Sequence, residues 1–150
     1  MALTAGQIPI VANVPNGGVA AISASSNIVT LGSNTNGLVA YTAGTKGGRV
    51  MSLTAVTDDT VTVNVFVYIY RGTTVIPIGL VNVPLSSGNT NAARYNVDFL
   101  NGANILGLPI DNSGRQYIPL LPNDVLKVGS LAGLTAAKTC WVQASGNDYQ

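Results

Sequence analysis

Side chains able to do acid–base or nucleophilic chemistry are scarce in this chain. There are six aspartates (Asp58, Asp59, Asp98, Asp111, Asp124 and Asp148), one cysteine (Cys140), and no glutamate or histidine. Without histidine, neither a Ser-His-Asp nor a Cys-His arrangement can be assembled. One cysteine with no histidine cannot supply the usual zinc ligands. Paired carboxylates for glycoside hydrolysis could come only from aspartates, and the adjacent pair Asp58-Asp59 sits in "TDDT", where aspartate favours a turn. "DNSG" (Asp111 to Gly114) has the oxygen-rich start of a calcium loop but lacks the remaining ligands, so a turn is the preferred reading. "GTKGG" (Gly44 to Gly48) puts a lysine between glycines without P-loop spacing or a following helix, and reads as a turn before a strand. Cys140 in "KTCWVQ" reads as a small buried hydrophobe, and Trp141 beside it as a core residue. The expectation is a protein that is not an enzyme and needs no cofactor.

Composition points the same way. The chain has 150 residues, one domain by default, and 47% are apolar, but only 9% are charged, against about 25% in ordinary soluble domains. The seven basic residues are scattered singly and the formal net charge is +1. Nucleic-acid binding needs a concentrated positive field, so no nucleic-acid partner is expected. A surface this poor in charge favours association, which implies that it is either neutral-polar or covered by other chains. The N-terminus lacks the basic region of a secretory signal. The most apolar run, Thr60 to Pro84, is interrupted by Thr62, Asn64, Arg71, Pro77 and Asn82, short of the roughly 20 mostly apolar residues of a spanning helix. No membrane partner is expected.

That run has a strong period of two. Val61, Val63, Val65, Val67 and Ile69 fall on one face, and Thr62, Asn64, Phe66, Tyr68 and Tyr70 on the other, the pattern of a strand. "RGTT" supplies a turn, and Val75 to Val83 returns, giving a β-hairpin. Pro77 and Gly79 predict an edge position or a bulge in the return strand. The aliphatic face suits a core. Phe66, Tyr68 and Tyr70 are either covered within a sandwich or form a contact surface of the kind aromatic residues favour at interfaces. Further strands are predicted at Arg49 to Thr57, Arg115 to Pro122, Asp124 to Leu131 and Lys138 to Ser145. A short helical turn near Asp98 to Asn101, stopped by Gly102, is also predicted.

No charged side chain occurs before Lys46. Short β-prone pieces, Ile8 to Val14, Asn27 to Leu31 and Leu38 to Thr42, are separated by turn signals including Asn16-Gly17 and Asn36-Gly37. This region is too apolar for a solvated tail. Asn27 to Thr42 is expected to add strands to the sandwich. Residues 1 to 15 are expected to form an extended arm laid on a neighbour, with Ile8, Ile10 and Val11 as its candidate contacts. Residues 16 to 150 then form a single all-β domain, an antiparallel β-sandwich.

The run "RVMSLTAVTDDTVTVNVFVYIYRGTTVIPIGLVNVPLSSG" resembles a pattern found in tailed-bacteriophage virion proteins: a "T-x-T-D-T" type turn, a valine-rich strand, "x-D/R-G-T-T" and an aliphatic return ending "V-x-V-P". The C-terminal run "GLPIDNSGRQYIPLLPNDVLKVGSLAGLTAAKTCWVQASGNDY" is similar to the same proteins. The resemblance spans roughly residues 48 to 150 and rests on turn and strand positions, so no functional residue is carried over. It implies a small jelly-roll-like sandwich acting as a capsid decoration (cement) protein on the phage head surface, a homo-oligomer, often a trimer. Its partners would be the major capsid protein and copies of itself. The alternative is a tail, collar or fibre-associated binding module.

Overall fold

The computed structural model describes residues 14–23, 28–30, 36–88 and 96–149. Ile8, Ile10 and Val11, and with them most of the expected N-terminal arm, lie outside the described residues. Among the described residues there are nine strands: β1 (Val14–Ser23), β2 (Leu38–Thr42), β3 (Gly48–Thr57), β4 (Val63–Arg71), β5 (Thr74–Val83), β6 (Val97–Asp98), β7 (Ile118–Leu120), β8 (Val125–Ser130) and β9 (Thr139–Asp148). They make two antiparallel sheets packed face to face. One has the order β1-β9-β3-β6, with β7 also on β3; the other has the order β2-β8-β4-β5. β6 pairs with Thr54 and Ala55, and β7 with Gly48 to Val50. They therefore share one strand position, split by the excursion through residues 99–117. Counted so, the eight positions have jelly-roll connectivity. No helix among the described residues is long and apolar enough to cross a membrane.

The period-two pattern dictates the core. Val63, Val65, Val67 and Ile69 of β4 all point inward and are buried, whereas Val61, just before the strand, is exposed. From the other sheet the rungs Val97–Ala55–Val142–Ala20 and Thr57–Cys140–Ile22 face them. β5 forms an edge, as Pro77 requires, and its register slips between Val67 and Tyr68, leaving Ile78 as the bulged residue. Asn16-Gly17, expected as a turn, instead lies inside β1. There the backbone must pass close to the second sheet: a Cβ on Gly18 would stand 2.6 Å from the Ala40 carbonyl oxygen. Asn16 fastens that corner, its Nδ2 donating to the Thr42 carbonyl at 2.9 Å and to Asp148 Oδ2 at 2.8 Å. The expected helical turn at Asp98 to Asn101 does not form. Phe99 is pulled fully into the core, its N–H bonded to the Leu53 carbonyl at 2.8 Å, and Asp98 Oδ1 accepts the Leu100 N–H at 3.0 Å.

The sequence left open what covers Phe66 and Tyr68, and the fold answers it. Val29 lies over the outer face of the β2-β8-β4-β5 sheet, its N–H donating to the Ser130 carbonyl at 2.8 Å. It packs with Phe66, Tyr68 and the half-buried Tyr70, Val75 and Leu131. Phe66 and Tyr68 are 3% and 0% exposed, their rings stacked at 5.3 Å. Burial pushes the Tyr68 hydroxyl pKa up, and a backbone hydrogen bond from Gly37 opposes that shift. Both residues are thus covered by their own chain. As an open contact surface they are corrected: neither is available to a partner in this fold. Tyr70 is only partly buried, and Lys127 Nζ sits 4.7 Å from its ring centroid.

Candidate interaction face

All six aspartates are engaged as hydrogen-bond acceptors within the chain. Asp59, fully buried, accepts the Thr135 N–H at 2.9 Å, the Thr135 hydroxyl at 2.5 Å and the Val61 N–H at 3.2 Å. Burial disfavours its charge, but the hydrogen bonds from Thr135 and Val61 outweigh that and hold its carboxyl below the ordinary range. Asp58 accepts the Thr139 N–H at 2.7 Å. The turn reading of Asp58-Asp59 is the one the geometry gives. Asp111 accepts the N–H groups of Ser113 (2.8 Å) and Arg115 (2.9 Å), which lower its pKa and close the "DNSG" turn. Asp124 takes a bidentate pair from Arg71 at 2.8 and 2.7 Å, plus the Leu121 N–H at 2.8 Å. The Arg71 guanidinium holds its carboxyl below the ordinary range. Asp148 accepts from Asn16 and, at 2.8 Å, from the Tyr41 hydroxyl, so that burial and the facing carboxylate push the tyrosine pKa up. Among the described residues no group of three or more acidic or cysteine side chains is placed to hold a metal ion.

Cys140 is fully buried, and burial together with Asp59 and Asp58 pushes its thiol up to about 12. The thiolate needed for nucleophilic chemistry is suppressed at neutral pH. Its neighbour behaves differently. Adjacent strand residues point to opposite faces, so with Cys140, Val142 and Ala144 inward, Trp141, Gln143 and Ser145 point outward. Trp141 is 39% exposed, which corrects the core assignment made from the sequence.

Trp141 is the centre of an uncharged sheet face. Register places it between Ala21 of β1 and Val56 of β3, with Gln143 between Val19 and Thr54 in the next outward rung. The following rung is Gly17–Ser145–Ser52. None of these nine positions is charged, and Val19 is 61% exposed. The signal that could have found this face is the alternation in "CWVQAS", where two polar residues share Trp141's side.

At the β3 edge the face runs into an open groove of about 580 Å³. Met51, Ser52 and Thr54 are on one side, and the excursion through residues 99–117 supplies the rest, including Leu100, Ile110, Arg115 and Gln116. Asp98 stands on its rim, paired with Thr54 across the ladder.

Compared with known proteins, the chain matches no family model, no curated protein and no solved structure.

Proposed function

We propose that this chain is a structural protein of the bacteriophage particle, a decoration (cement) protein that binds the head surface as a homo-oligomer, a trimer on the sequence resemblance, and stabilises it. The observation that carries the reading is the uncharged outward face of β1, β9 and β3 centred on Trp141. A half-exposed tryptophan among Val19, Ala21 and Val56 supplies the large anchor that dominates interfaces. Without charges, docking there desolvates no ion pair. The motif resemblance over residues 48 to 150 supports the setting, and the commitment of all six aspartates to turns and seams supports a role without catalysis. Major capsid protein and further copies of the chain are the partners. Many such contacts in one lattice must break together for a subunit to leave, which converts modest contacts into a durable particle. A place in the tail, collar or fibre is the second reading.

The test is a particle assembled without this protein and one assembled with Trp141→Arg. The proposal expects loss of heat or chelator resistance in the first and reduced incorporation of the second, with the isolated variant folded as before. Particles that keep full resistance without the protein would remove the stabilising role.

A further inference from the structure

We infer that the groove between the outward side of β3 and the excursion through residues 99–117 binds a neutral carbohydrate. Its volume, about 580 Å³, lies in the range of small-molecule sites and admits more than one sugar ring. Its chemistry is mixed in the way a polyhydroxyl ligand requires. Ser52 and Thr54 bring hydroxyls that donate and accept. Among the described residues Asp98 uses only Oδ1, on the Leu100 N–H, and its other oxygen faces no donor, while the exposed Arg115 guanidinium makes no salt bridge, although its charge acts on Asp111. Each hydroxyl of a sugar both donates and accepts, and so can meet an acid on one wall and a base on the other. Met51 and the 63%-exposed Ile110 offer apolar surface for the C–H face of a ring.

Other ligand classes fit less well. The charges here balance, Asp98 and Asp111 against Arg115 and Arg49, both of whose charges act on Asp111, and give no net field for a phosphate or polyanion. A peptide added as a strand needs an open backbone edge, and along β3 that edge is already taken by β6 and β7.

The probes are neutral trisaccharides (maltotriose, cellotriose, mannotriose and chitotriose), with sialyllactose as the anionic arm, titrated to 20 mM into the full chain and read by amide chemical-shift mapping. The expected result is saturable shifts confined to residues 51–54, 98–102 and 110–116 with at least one neutral probe. Arg115→Ala, which keeps the backbone N–H that closes the Asp111 turn, and Asp98→Asn, which keeps an oxygen for Leu100, should each weaken binding at least about tenfold, the loss of one hydrogen bond to a charged group. No saturable shift with any neutral probe, shifts elsewhere, preference for sialyllactose, or undiminished binding by both variants would overturn the inference.

Discussion

Replacing Asp59 by alanine should be among the most costly single changes in the protein. Its carboxylate joins the β3–β4 turn to the loop before β9 through three hydrogen bonds, two from Thr135 and one from the Val61 N–H. A buried donor left without its partner costs about 1–3 kcal/mol. Val61 and Thr135 are exposed, so water re-enters to serve the freed donors and the loss settles at about 3 kcal/mol. For a domain of this size that lowers Tm by about 6–12 °C. The pH dependence is the sharper signature. Asp59 has a folded-state pKa below its ordinary 3.8. Its contribution is therefore fully present above about pH 4 and is lost as pH falls through the folded value. Urea denaturation of wild type and Asp59→Ala should show the full gap at pH 7 and a shrinking one as pH falls below about 4. A gap under about 0.5 kcal/mol at pH 7, or one unchanged down to pH 2, would refute the reasoning.

Cys140 should resist thiol reagents in the native protein at pH 8 and react fully in denaturant, because its thiol is buried and pushed up to about 12; rapid native labelling would contradict that burial. Gly146→Ala should destabilise by more than about 3 kcal/mol by urea titration. A Cβ there would overlap the Arg49 carbonyl oxygen and stand 2.9 Å from Val50 Cα, backbone atoms that cannot swing aside. A variant as stable as wild type would show that the β3–β9 ladder differs from the one described.

The β4–β5 hairpin was legible because β-branched residues alternate without interruption from Val63 to Ile69 and Pro77 can sit only at an edge or bulge. Jelly-roll order was accessible only through resemblance, since which strands pair is set by long-range packing that local alternation does not encode. Asn16-Gly17 misled because glycine serves two needs, turn geometry and close approach, and here the second governs. Trp141 misled because size suggested burial, while its outward neighbours Gln143 and Ser145 carried the opposite message. The cover over Phe66 and Tyr68 was hidden for a related reason: a short crossing segment such as Ile28 to Thr30 has no period to announce which face it will close. The groove could not be read at all, since it joins β3 to residues some fifty positions later.

Cryo-EM of the assembled particle tests the central claim most directly. The account predicts density for the sandwich on the outside of the head in hundreds of copies, with Trp141, Val19 and Val56 closed against a neighbouring protein. Particles without the chain, or a bound sandwich whose Trp141 face points into solvent, would contradict it.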